Sequence, residues 1–179
     1  GSLSVILANS LTLSGISCGL FTSPHLCFVE ERVRIDGVPI SSEKFDQLLI
    51  EIRKVAEQEP TIMPTYYEAT FLVAMLAFAE AGVDRAVIET GLGGRLDATR
   101  LCQADYCVLT ELSLEHTEIL GDTLGEIAAE KAAIARPSGT FIAKWTYDAS
   151  ARKAIEETVV SPSNAYWWRF DRDTIVRFD

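Results

Sequence analysis

"ETGLGGRLDATR" (residues 89–100) follows the apolar run Ala86-Val87-Ile88 and holds three glycines, two acids and two arginines. Three readings compete for it: a phosphate cradle, a metal site, or a plain turn. A dinucleotide fingerprint needs G-x-G-x-x-G, and a P-loop needs G-x-x-x-x-G-K-[ST]. Here Gly91, Gly93 and Gly94 are followed by Arg95 and Leu96, with Leu96 where a third spaced glycine belongs and no lysine after it. Both phosphate readings fail on spacing.

Glu89 closes the apolar strand that precedes the turn. Open parallel sheets bind their ligands beyond the carboxyl ends of their strands. A carboxylate at that address, followed by a glycine turn that admits close backbone approach, suits Mg²⁺, which takes hard oxygen ligands. The plainer reading, a solvated strand end with a tight turn, stands beside it on spacing alone.

Outward from this junction the chain alternates strands and helices. A helix is expected over residues 2–13 and a short buried strand over 18–22, broken by "TSPHL" because Pro24 cannot donate to a sheet. "RVRIDGVPI" alternates around Asp36-Gly37, a hairpin signal. Helices follow over 41–58 and 66–82, the second apolar nearly all round and so expected in the core. Buried strands are expected at 86–90 and 106–110. A helix capped near Asp122 or Thr123 is stopped by Pro137. A strand over 140–143, a helix over 149–159 and a strand over 175–178 complete the reading. This order predicts an α/β fold with a mainly parallel sheet and flanking helices. The chain opens directly on a helix with no strand to feed it, and nothing in its tail supplies a second domain, so a fragment is expected.

The 179 residues suffice for one domain with a sizeable core. A net charge of −10 argues against a nucleic-acid binder, whose affinity comes from neutralising phosphates, but permits a locally positive pocket for an anion. The longest apolar stretch, residues 69–81, is too short to span a bilayer. Cys18, Cys27, Cys102 and Cys107 form no C-x-x-C pair, which fits free thiols in a reducing cytoplasm.

Two further residues carry chemistry. His116 lies in the loop after the strand ending at Thr110, an address like that of Glu89. A loop histidine is commonly structural, and imidazole is an unusual Mg²⁺ ligand. Lys131 lies on the apolar stripe marked by Leu124, Ile127, Ala128, Ile134 and Ala135. Its plainer reading is snorkelling; the functional one is a desolvated amine that adds CO₂ and becomes a carboxylate-like anion.

The stretches "GLFTSPHL", "ERVRIDGVPIS", "PTYYEATF", "AVIETGLGGRLDAT" and "EHTEILGDTLGEIAAEKAAI" together resemble folylpolyglutamate synthase and the bifunctional dihydrofolate synthase/folylpolyglutamate synthase, within the Mur ligase superfamily. They keep the family's order and spacing over residues 1–137; the rest matches loosely. The resemblance implies a P-loop NTPase-like central domain of an ATP-dependent ligase that joins L-glutamate to a folate carboxylate, or an amino acid to dihydropteroate, through an acyl phosphate. It implies Mg²⁺ bound by Glu89, His116 and Ser2, carbamylation of Lys131, and a folate- and metal-site loop at Thr22, Ser23, Pro24 and His25. Arg32 and Arg34 read first as exposed hairpin arginines, with an anion-binding role as the alternative. Gly1-Ser2 match the end of the family's P-loop, whose lysine and preceding strand are absent here, as is the C-terminal ligase domain; a cloning remnant reads the same. This fragment alone is therefore expected to be inactive, and the full-length form monomeric, cytoplasmic and free of nucleic-acid or membrane partners. The sequence departs from the family at Glu115, where it has Asp, at Arg100, where it has Asn, and at Ala133, where it has Gly. A non-catalytic folate- or metal-binding module and a peptidoglycan-precursor ligase are the alternatives.

Overall fold

The computed structural model describes residues 1–161, 164–169 and 174–178. They form two compact units, Gly1–Gly91 and Leu92–Asp179.

The first unit runs α1 (Ser2–Leu13), β1 (Cys18–Phe21), β2 (Val33–Ile35), β3 (Val38–Pro39), α2 (Ser42–Ala56), α3 (Tyr66–Ala81) and β4 (Arg85–Ile88), with strand order β3-β2-β1-β4. β1 is wholly buried, as its apolar run demands, and pairs parallel with β4 and antiparallel with β2. The β2–β3 turn places Asp36 and Gly37 at positive φ, the geometry that Asp-Gly favours in a hairpin. Asp36 also accepts from the Cys18 amide at 2.7 Å, which ties the turn to β1. Thr65 and Glu68 form a capping box at the start of α3, and Gly82 ends that helix in the left-handed region. α3 reaches β1 because Gly19 has no side chain: a Cβ there would stand 2.6 Å from the Phe78 ring. α2 buries Phe45, Leu48 and Ile52, one helical face.

The second unit runs β5 (Tyr106–Leu109), α4 (Thr117–Leu120), α5 (Leu124–Ala132), β6 (Thr140–Lys144), α6 (Ala149–Thr158), β7 (Ala165–Arg169) and β8 (Thr174–Arg177), with strand order β5-β6-β7-β8. The first two pairings are parallel and the last antiparallel. Its core joins Phe141 and Ala143 of β6, Trp167 of β7 and Ile155 of α6 to the small residues Ala128, Ala132 and Ala151, which let α5 and α6 lie close. Trp167 stacks on Phe178 with ring centroids 4.7 Å apart.

The architecture is the expected mixed α/β one, with parallel strands and flanking helices, but its strands form two four-stranded sheets. β4 is less buried than its apolar sequence suggests: among the described residues it pairs with β1 alone, and Arg85 and Ala86 are exposed. α5 stops at Ala132, short of Pro137, because the next turn tightens to Ile134 N–H→Lys131 and Ala135 N–H→Ala132 bonds. β7 was not anticipated; its run of adjacent aromatics hides the period-2 alternation in which Ala165 and Trp167 turn inward. No helix among the described residues is long and apolar enough to cross a membrane.

Candidate functional site

The parallel register pairs Phe21 with Ile88, so β1 and β4 end side by side and the residues that follow them meet. The Glu89 amide continues the ladder by donating to Phe21 at 2.9 Å. The Ser23 amide donates to Glu89 Oε2 at 3.2 Å, and the Gly1 α-ammonium pairs with Oε1. Glu89 is thus held by the Ser23 amide on one oxygen, while the other faces the start of helix α1. Its backbone carbonyl accepts from the Tyr67 hydroxyl at 3.4 Å. Gly91 passes over the same ring; a Cβ at Gly91 would stand 2.5 Å from it. Helix α1 begins at Ser2 with no side-chain cap, which leaves its first amides without that internal acceptor.

Beyond Ser23 and the cis-bonded Pro24, the loop is held by Glu31 and Arg32. Glu31 accepts from the amides of Leu26, Cys27 and Phe28 at 3.0, 3.1 and 3.0 Å, and these bonds hold its carboxyl below the ordinary carboxylate range. Arg32 is only 8% exposed, which corrects the reading of it as an exposed hairpin arginine. Its backbone carbonyl accepts from Thr22, its Nε donates to His25 Nδ1 at 2.9 Å, and its guanidinium lies 5.2 Å from the Tyr66 ring centroid. Arg34 remains half-buried and donates to the Glu31 carbonyl.

In the second unit the glycine-rich turn spends its donors internally. The Leu92 amide donates to Asp97 Oδ2 at 3.0 Å, while Asp97 Oδ1 accepts from the Thr99 amide at 2.9 Å and the Thr99 hydroxyl at 2.6 Å. The Arg95 amide donates to the Glu130 carbonyl, and Arg95 Nε lies 2.8 Å from Glu130 Oε1. Gly94 sits so close to α5 that a Cβ would meet the Lys131 carbonyl at 2.6 Å. The turn is a clamp on the helix that carries Lys131.

His116 occupies the left-handed region at φ 50°, uncommon for a residue with a side chain, and its carbonyl opens α4 by accepting from Ile119 and Leu120. The imidazole is exposed. Lys131 neither snorkels freely nor stands bare: its side chain is 19% exposed and its ammonium lies 3.0 Å from Glu115 Oε1, on the residue before His116. That hydrogen bond, then the charge of Lys131, holds the Glu115 carboxyl below its ordinary range. No group of three or more His, Cys, Asp or Glu side chains able to hold a metal occurs among the described residues.

No model of a protein family matches the chain. It is 48% identical over 124 residues to a folylpolyglutamate synthase of Arabidopsis thaliana, covering 67% of this chain and 22% of that protein. It is 37% identical over 138 residues to the dihydrofolate synthase/folylpolyglutamate synthase of Bacillus subtilis, covering 75% of this chain and 32% of that protein. The solved FPGS–AMPPCP complex superposes with a TM-score of 0.84 at 30% identity, over 96% of this chain and 43% of that one.

The chain belongs to the folylpolyglutamate synthase/dihydrofolate synthase family.

Another family structure, Escherichia coli FolC with DHPP and ADP, matches with a TM-score of 0.78 at 30% identity, over 93% of this chain and 38% of that one. The chain thus spans between about a fifth and a third of the two curated relatives' length. Of the residues that the family resemblance singles out, the first unit holds Ser2, Thr22, Ser23, Pro24, His25 and Glu89, and the second holds His116 and Lys131. Sequence reasoning passed over Asp97, Glu31 and Tyr67. Asp97 had a signal, since Asp-x-Thr is an Asx-turn pattern, but Tyr67 is brought to Glu89 only by the packing of α3.

Proposed function

We propose that the chain is a fragment of the ATP-binding central domain of a ligase that adds L-glutamate to a folate, or an amino acid to dihydropteroate, through an acyl phosphate. In this reaction a substrate carboxylate oxygen attacks the γ-phosphorus of ATP and ADP leaves; the amine of glutamate then attacks the acyl carbon, loses a proton, and phosphate departs. The relatives' names and the nucleotide, folate and DHPP in the solved family structures support the substrate classes. The observation that carries the reading is Glu89, a strand-end carboxylate fixed on one oxygen by the Ser23 amide, with its other oxygen facing the start of helix α1. A hard oxygen donor of this kind fits Mg²⁺, which usually completes its shell with water and substrate phosphate.

Glu89 and His116 are assigned as Mg²⁺ ligands, with Ser2 adding its hydroxyl at the start of α1. Bound Mg²⁺ would neutralise charge on the transferred phosphoryl group. Lys131, as its carbamate, supplies a fixed negative charge that supports the metal ligands, and the Gly94 clamp holds the helix that carries it. Thr22, Ser23, Pro24 and His25 line the folate side. The same reading makes the full-length protein a monomeric cytoplasmic enzyme with small-molecule substrates only.

The test is incorporation of labelled glutamate into a reduced folate by the full-length protein with ATP and Mg²⁺. Glu89→Gln is expected to lower kcat/KM by about a hundredfold or more. Product formed with a UDP-linked peptidoglycan precursor but not with folate would move the protein to another branch of the superfamily.

A further inference from the structure

Arg32 lacks a counter-ion: the residue is 8% exposed, and no carboxylate pairs with it among the described residues. Its Nε is committed to His25 Nδ1 at 2.9 Å, and one face of the cation lies against Tyr66. The two terminal nitrogens have no hydrogen-bond acceptor among the described residues and are open to solvent. The planar fork is therefore fixed at its root and on one face, while the edge suited to bidentate carboxylate recognition is left for a ligand.

We propose that His25 is a positioning residue: it takes the Nε–H of Arg32 on Nδ1 and thereby aims the two terminal amino groups at a carboxylate of the folate-type substrate. The assignment rests on the folate-ligase reading for the identity of that carboxylate, but not for the His25–Arg32 contact itself. Arginine cannot accept a hydrogen bond, so the contact requires His25 Nδ1 to carry a lone pair and its proton to sit on Nε2. Pro24 and the Glu31 bonds to the amides of residues 26–28 flank His25 in sequence and hold its loop. Tyr66 keeps the guanidinium from folding away.

Two measurements test this. With only two histidines in the chain, a long-range ¹H–¹⁵N spectrum identifies each tautomer. His25 is expected as the Nε2–H form, and an Nδ1–H form overturns the proposal. In the full-length ligase, His25→Phe is expected to raise KM for the folate substrate about tenfold, with a smaller change in kcat and none in KM for ATP. His25→Asn, whose Oδ1 can accept the same Nε–H, is expected to recover most of that loss. An unchanged folate KM in His25→Phe, or an Asn variant no better than the Phe variant, overturns the role. If the wild-type enzyme adds no glutamate to any folate, the functional reading fails, while the spectrum still decides the contact.

Discussion

Lys131 Nζ lies 3.0 Å from Glu115 Oε1, on the residue immediately before His116. The carbamate proposed for Lys131 is an anion and would face that carboxylate. Glu115→Gln removes the repulsion, so the variant is expected to carry CO₂ on Lys131 at a bicarbonate concentration about two- to fivefold lower than the parent, the scale of a partly exposed charge pair. Mass spectrometry under CO₂ reads the added mass, with Lys131→Arg as the blank. Equal loading of the two proteins would mean that Glu115 swings clear of the amine.

Asp97 is 9% exposed, and its carboxylate accepts from the Leu92 amide and from the amide and hydroxyl of Thr99. Asp97→Ala strands these donors in a closed environment and is expected to cost about 2–4 kcal/mol of stability. Asp97→Asn keeps one carbonyl acceptor and should cost about half as much. Denaturant unfolding measures both, and limited proteolysis at residues 92–96 should report a loosened turn.

Two glycines should respond to alanine with opposite signs. At Gly94 a Cβ would meet the backbone carbonyls of Lys131 and Glu130 at 2.6 and 2.9 Å, and neither can rotate aside. Gly94→Ala is expected to destabilise by about 1–3 kcal/mol and to displace the turn from α5. At Gly125, inside α5, the nearest atom would be the Ser150 hydroxyl oxygen at 3.4 Å, an ordinary contact. Gly125→Ala should stabilise by about 0.5–1 kcal/mol through helix propensity and a less flexible unfolded chain. Paired melting curves check the contrast.

What could be read from the sequence was local. β1 was legible because a fully buried strand is an apolar run that Pro24 cuts short. α5 was legible from Thr123 and Glu126, whose capping box starts it. Glu89 stood out as the polar residue closing an apolar strand, but assigning it, His116 and Lys131 to a metal came from the family resemblance. Tertiary pairing was not legible. Nothing near β4 or β5 tells which strand each will adjoin, so the division into two sheets escaped notice. Arg32 was misjudged for the same reason: alternation in a hairpin places it on a face, while its burial depends on His25 and Tyr66.

Glu31 gives the pH dependence a sign. Its folded-state carboxyl lies below its ordinary value of 4.5, first through the Leu26 and Phe28 amides, less through Cys27, and least through the charge of Arg34. A depressed folded value means a contribution fully present above the unfolded value and lost as the pH falls through the folded one. The melting-temperature gap between the parent and Glu31→Gln should therefore be constant well above pH 4.5 and close on acidification below it. Because backbone hydrogen bonds outrank the Arg34 charge as the cause, that gap should survive high salt, which screens exposed ion pairs but not short amide bonds. Thermal melts across pH at low and high salt separate the two causes. A gap that collapses in salt at neutral pH would make Arg34, and not the amides of residues 26–28, the partner that matters.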